Sequence, residues 1–359
     1  MNKKINSIAA MLENNTISAW IVDSNQNIVY MNPIMQSLFG DFTGKRTSTV
    51  YSYSEENQTK LGTDGFSEVV ISEIPFRCLS SRADLEGEEF LVEYFEDFSE
   101  QKLKDDNQRN SLTKLRAETK IAKTIQNSLL PPDNIYWDTI AFNALYMPAD
   151  DLGGDFYDLL RLNNNEYVFY IADVSGQGIH AAMLTIFIRE RVRSNIKEAL
   201  AGTGELLSKL VQDFCELNID STMYITMVLC KYTKTKCELS ISNAGHNCFP
   251  LIVRNNGLTE TIPTQGIPIC MIAEGANYDE EIISLDPGNR LIMFTDGVAG
   301  EARNSDGNTF GPECVRALAE KYQKYNGSYL ARKIMDEASR CPTFRLNDDR
   351  SIIIADILS

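Results

Sequence analysis

"VFYIADVSGQG" (residues 168–178) runs from five apolar or aromatic side chains, broken only by the Tyr170 hydroxyl, into Asp173 and a small, glycine-rich turn. Such a run reads as a buried strand that carries a carboxylate to its end. "LIMFTDG" (291–297) repeats the arrangement with Asp296. Two further stretches share the chemistry. "GGDFYD" sets Asp155 after two glycines, where the backbone can turn tightly and approach a ligand. "NDDRSIII" sets Asp348 and Asp349 just before a last apolar run. A carboxylate at the edge of a core is costly unless paired, and no Lys or Arg adjoins Asp155, Asp173 or Asp296. Divalent cations would answer that need, and an all-oxygen donor set with retained waters suits Mg²⁺ or Mn²⁺.

The totals narrow the alternatives. At 359 residues the chain is long enough for two domains, and a hydrophobic fraction of 43% supports packed cores. The net charge of −16 leaves no basic excess for neutralising phosphates, so a nucleic-acid partner is not expected. The eight cysteines show no C-x-x-C spacing, which argues against a zinc clamp or a redox dithiol. With two histidines, His180 and His246, a His-rich zinc site is excluded. The N-terminus has no sustained apolar core and no run approaches a membrane span, so a cytoplasmic protein without membrane insertion is expected.

Three segments are expected. In residues 1–98, "ISAWIVDSNQNIVYMNPIMQSLFG" reads as strand, turn, strand and helix, followed by alternating apolar runs. Asp23, Tyr30, Asn32, Pro33 and Gly40, with the exit "YFEDFSEQK", resemble an α/β PAS sensor domain. The flavin-adduct "N-C-R" loop is missing, since Cys78 lies in "FRCLS", and no ligand is assigned. Residues 99–131 read as a helical linker that "LLPP" stops. Leu115, Ala122 and Leu129 repeat every seven residues, and Leu112, Ile121 and Ile125 widen the stripe, with a gap at Glu118 and Thr119. A parallel dimeric coiled coil and a helix docked on its own domain both fit that seam. Residues 132–359 read as α+β, with hairpins at 157–173, 224–245 and 250–263, two strands about Pro287-Gly288, and sheets that are mostly antiparallel. Residues 178–200 are expected as one long helix.

Three motifs invite other readings. "GQGIHAA" outlines a dinucleotide-binding turn, but a second helix follows where a βαβ unit needs a strand. Cys248 and Arg254 outline a cysteine phosphatase loop, yet "FPLIV" between them is a strand without the small residues that wrap a phosphate. Asp296-Gly297 alone reads as a hairpin turn.

Taken together, "QNSLLP", "GGDFYD", "ADVSGQG…AAM", "NAGH", "FTDG" and "DDRS" resemble, in order and spacing over about residues 125–359, the stage II sporulation protein E family of metal-dependent, protein phosphatase 2C-like (PPM) enzymes. The resemblance implies a C-terminal two-sheet antiparallel β-sandwich flanked by helices, with two divalent metal ions, Mn²⁺ or Mg²⁺, at one edge. Carried over by position, Asp155 and Asp173 hold the pair with the Val174 carbonyl, and Asp296 and Asp348 complete one ion; Asp349 ranks below Asp348. The implied reaction is direct hydrolysis of phosphoserine or phosphothreonine by an activated water, without a covalent enzyme intermediate. The implied substrate is a phosphorylated anti-anti-sigma (STAS-type) protein of a partner-switching pathway. Ser175 stands where eukaryotic relatives carry a histidine, so no leaving-group acid is assigned. His246 is expected to brace the glycine turn, and His180 to be an ordinary helix residue. A sensor gating the enzyme through the linker, with a homodimer formed by linker and PAS domain, completes the expectation. The alternative is a non-catalytic sensor or scaffold that binds a phosphoprotein.

Overall fold

The computed structural model describes residues 3–53, 66–85, 87–219, 222–299, 310–340 and 348–358; Cys341 lies outside them. The chain forms two compact units, Met1–Leu115 and Arg116–Ser359, and the division falls inside a helix.

The first unit holds α1 (Lys3–Glu13), β1 (Ser18–Val22), β2 (Ile28–Met31), α2 (Pro33–Phe39), β3 (Tyr51–Tyr53), β4 (Phe66–Ile71), β5 (Ile74–Leu85) and β6 (Glu88–Asp97). Its strands form one antiparallel sheet in the order β2-β1-β6-β5-β4-β3. Asn32 explains why "Y-M-N-P" ends a strand and starts a helix. Its side-chain oxygen caps α2 through Met35 N at 3.0 Å and also accepts from Ala19 N at 3.1 Å, while Pro33 presets the first helical φ. One face of the sheet packs around Trp20, Phe76 and Phe95, and the other against α1 through Ile5 and Leu12. Glu93 is buried on β6 and accepts from the Trp20 indole N–H at 2.6 Å.

Helix α3 (Ser99–Leu129) crosses the division. The second unit continues with β7 (Asn134–Trp137), β8 (Ile140–Met147), β9 (Asp155–Arg161), β10 (Glu166–Val174), α4 (Ile179–Ser194), α5 (Thr203–Glu216), β11 (Tyr224–Thr233) and β12 (Glu238–Ala244). After these come β13 (Leu251–Val253), β14 (Thr259–Thr261), β15 (Ile269–Cys270), β16 (Glu281–Ser284), β17 (Arg290–Phe294), α6 (Asp296–Ala299), α7 (Pro312–Lys321), α8 (Gly327–Arg340) and β18 (Arg350–Ile357). Two antiparallel sheets result, β16-β12-β11-β10-β9 with β15 on β11, and β14-β13-β17-β18-β8-β7.

Three apolar clusters stack these layers. Phe169, Ile171, Val228, Met293 and Ile353 meet between the sheets. Val168, Tyr170 and Ala172 face the other way, onto Ile188, Leu206 and Leu210 of α4 and α5. Phe294, Ile352 and Ile354 pack on Leu330 and Ile334 of α8. Strand β10 is thus covered on both faces, which is why its sequence is continuously apolar rather than alternating.

Some elements differ from the sequence expectation. The long helix after Gly178 stops at Ser194 and resumes as a 3₁₀ turn, Ile196–Leu200. Strands β16 and β17 flank Pro287-Gly288 but join different sheets, β16 pairing with β12 and β17 with β13 and β18. Asp296-Gly297 opens α6 instead of a hairpin. There Gly297 lies so close to the Asp349 carbonyl that a Cβ would collide with it.

Candidate active site

Antiparallel pairing brings the acids together. Strand β9 begins at Asp155 and β10 nears its end at Asp173, and the register sets those two residues directly opposite each other. Like charges so placed repel across the ladder. Strand β17 ends just before Asp296, and its neighbour β18 begins just after Asp348 and Asp349. Each acid therefore emerges where a buried strand stops, and the two sheets deliver them to one end of the sandwich.

Asp173, Asp296, Asp348 and Asp349 line a common cleft of about 880 Å³, together with Asp150, Val174, Tyr224 and His246. Among the described residues the lining contains no Lys or Arg. Asp155 is not among the residues lining this cleft; it sits behind Asp173 in the ladder, almost wholly buried, with Oδ2 accepting from the Thr295 hydroxyl at 2.6 Å. Burial, and next the neighbouring Asp173 charge, push its carboxyl well above the usual carboxylate range; the Thr295 bond opposes the shift. Thr295 is fixed in turn by Ser351 N, which donates to its hydroxyl at 3.0 Å.

Gly154 is required by close approach. A Cβ there would meet the Val174 carbonyl oxygen at 2.6 Å, so glycine lets the turn lie against that carbonyl. Asp349 does more than line the cleft. Its Oδ1 accepts from Ala149 N at 2.8 Å and its Oδ2 from Gly154 N at 2.5 Å, so it pins the turn that carries Asp155. The second acid of "GGDFYD", Asp158, serves packing: it is fully buried and bound by Arg193, Nε to Oδ2 at 2.7 Å and an Nη to Oδ1 at 3.0 Å. Tyr146 adds a buried hydroxyl without a hydrogen-bond partner, close to Gly153 and the Asp349 carboxylate.

Sequence reasoning missed two contacts. Thr295 stands inside the quoted "FTDG", and a hydroxyl at the end of an apolar strand was the available signal. Gln126, near the end of α3, is buried; its amide donates to the Gly153 carbonyl at 2.7 Å and to the Thr185 hydroxyl at 3.1 Å, and its oxygen accepts from Gly153 N at 3.3 Å. "QNSLLP" was among the motifs of the resemblance, but no role for its glutamine was read from it. In "NAGH" the turn is braced by Asn243 rather than by the histidine ring: Asn243 Oδ1 accepts from His246 N at 2.7 Å and Nδ2 donates to the His246 carbonyl at 2.9 Å. His180 is exposed on α4. Cys248 and Arg254 do not form a phosphate loop, since Cys248 is buried and Arg254 pairs with Glu260 at 2.9 Å.

The donor set fits hard divalent cations. A buried acid with a raised pKa faces a second acid, and Asp296, Asp348 and Asp349 open on the cleft that this second acid lines. Among the described residues no three acidic side chains close on one point as a finished cage.

The profile of the family described as "Stage II sporulation protein E (SpoIIE)" matches residues 163–358, more than half of the chain. The chain is 25% identical over 243 residues to the phosphoserine phosphatase RsbU of Bacillus subtilis, which covers 67% of this chain and 70% of that protein. It is 24% identical over 186 residues to the phosphoserine phosphatase RsbP of the same organism, covering 51% of this chain and 45% of that one. Among solved structures, the SiaA-PP2C domain of Pseudomonas aeruginosa superposes with a TM-score of 0.57 at 17% identity, over 69% of this chain and 99% of that domain. The α+β fold of helices on two antiparallel sheets is therefore shared with PP2C domains.

Proposed function

The chain belongs to the stage II sporulation protein E family, and on that premise we propose that it is a metal-dependent protein serine/threonine phosphatase acting on a phosphorylated partner protein. The carrying observation is that Asp173, Asp296 and Asp348 line one cleft at the end of the sandwich, with Asp155 set directly opposite Asp173 in the ladder beside it. Asp155 and Asp173, with the Val174 carbonyl, would hold one pair of divalent cations, Mn²⁺ or Mg²⁺, and Asp296 and Asp348 would complete the site. When bound, such ions neutralise charge on a phosphoryl group and acidify a water for in-line attack.

The chain's own residues do the rest. Asp349 and Gly154 set the turn that aims Asp155, Thr295 orients its carboxylate, and the cleft admits a phosphorylated side chain from solvent. No side chain in the cleft is assigned as nucleophile; Cys248 donates weakly to the Ala299 carbonyl at 3.7 Å from a buried position. The retained acids argue against the scaffold alternative.

The substrate reading is phosphoserine or phosphothreonine on an anti-anti-sigma, STAS-type protein; it rests on the family and on similarity to two proteins named phosphoserine phosphatases. Residues 1–98 are read as a PAS sensor that gates the enzyme, and residues 99–131 as the linker. Gln126 supports that reading, because it places the end of α3 directly on the turn that carries Asp155. A cytoplasmic setting is part of the same proposal; no helix of the described residues is long and apolar enough to cross a membrane.

The test is hydrolysis of p-nitrophenyl phosphate by the full chain with Mn²⁺, with Mg²⁺ and with EDTA. Turnover restored by either ion and abolished by EDTA is expected. Turnover indifferent to EDTA would remove the metal mechanism, and none under any condition would remove the enzymatic reading.

A further inference from the structure

His246 is buried, yet it is neither a packing residue nor one of the acids. Its ring spans the two sheets at their acid-bearing end. Nε2 lies 3.0 Å from the Phe294 carbonyl on β17, two residues before Asp296. Nδ1 lies 3.0 Å from the Thr226 hydroxyl on β11. Thr226 is the register partner of Asp173, and its hydroxyl also approaches the Asp173 carbonyl at 3.4 Å. A carbonyl facing Nε2 requires an N–H there, so Nδ1 is the acceptor and Thr226 the donor.

Strands β11 and β17 belong to different sheets and share no ladder. Two of the four acids, Asp173 and Asp296, thus sit on sheets that backbone hydrogen bonds do not tie to each other. The turn before His246 is built to present the ring. Asn243 closes it through both amide ends and also donates to the Thr264 carbonyl at 3.1 Å, and Gly245 adopts φ +71°.

We propose that His246 is a positioning residue that, through Thr226 and the Phe294 carbonyl, fixes the separation of Asp173 and Asp296 across the two sheets. This rests on the metal-site reading above, which it extends to a specific device setting cation affinity. Residues that orient ligand side chains typically alter metal affinity 10–100-fold when replaced.

Mn²⁺ titration calorimetry on the EDTA-stripped, dialysed full chain tests it, alongside thermal melting in EDTA. His246→Leu and Thr226→Val should each weaken Mn²⁺ binding by about tenfold or more. His246→Gln, whose amide can still donate to the Phe294 carbonyl, should recover part of that loss. Val211→Ala, a cavity variant on α5, controls for lost stability: it should lower the melting temperature and leave Mn²⁺ affinity near wild type. His246→Leu and Thr226→Val binding Mn²⁺ as wild type does, or Val211→Ala weakening it equally, would overturn the positioning role while leaving the metal site standing. Wild type taking up no Mn²⁺ would remove the metal site and this role together.

Discussion

Asp155 carries an electrostatic signature set by its burial and its neighbour. Its carboxyl is buried and faces Asp173, so its folded-state pKa lies above the ordinary 3.8. Above 3.8 the unfolded chain has released this proton while the folded chain still holds it. Linkage then lowers stability as pH rises through that window. In EDTA, the wild type should lose stability as pH rises above 3.8 more steeply than Asp155→Asn, which carries no proton to release there. Urea unfolding at several pH values measures the difference; parallel pH profiles would contradict the assigned burial and charge. Thr295→Val tests the same residue from the other side. Removing the 2.6 Å bond frees the carboxylate to rotate, and Mn²⁺ affinity should fall roughly tenfold, as when other supporting partners of metal ligands are lost. Unchanged affinity would show that Asp155 needs no orienting hydroxyl.

At the scale of elements, what could be read from the sequence was the local pattern, and what could not was long-range pairing. A buried run ending in an acid was visible in "VFYIAD" because β10 is covered on both faces. That Asp173 would face Asp155 across a ladder depended on register, which no single stretch encodes. The two acids of "GGDFYD" look alike in sequence and part ways in the fold: Asp155 goes to the ladder position facing Asp173, and Asp158 to an arginine 35 residues away. Asp348 and Asp349 both line the cleft, but Asp349 also pins the turn before Asp155 through Ala149 N and Gly154 N, a partnership 195 to 200 residues away that their adjacent places in sequence do not reveal. The role of Gln126 in "QNSLLP" escaped reading for the same reason, since its partners lie 27 and 59 residues on. Its replacement tests the end of α3 as an element. Gln126→Leu leaves both backbone groups of Gly153 without their partner, and should destabilise the chain by about 1–3 kcal/mol. Because Gly153 leads into Asp155, Mn²⁺-dependent turnover should fall as well. Turnover at the wild-type level in a destabilised variant would detach the linker from the site.

For the whole molecule, α3 raises the question of what covers its apolar seam. Leu112, Leu115, Ile121 and Ile125 are each at least half exposed, whereas Gln126 is buried and Leu129 packs against the core beneath α4 and α5. A second copy pairing along the seam is the reading offered by the heptad pattern. Light scattering on the full chain should report a dimer, and Leu115→Glu with Ile121→Glu should report a monomer. A monomeric wild type would contradict the seam. Deleting residues 1–98 bears on the gate: metal dependence and rate identical to the full chain would count against regulation by the first unit.

All of this depends on carboxylates from four separate stretches of chain forming one cation site. Counting bound Mn²⁺ by equilibrium dialysis of the stripped full chain measures that directly. Two ions per wild-type chain, with at least one lost in Asp155→Asn and in Asp296→Asn while the fold remains, is the expected result. No bound ion in the wild type, or uptake indifferent to both substitutions, would contradict it.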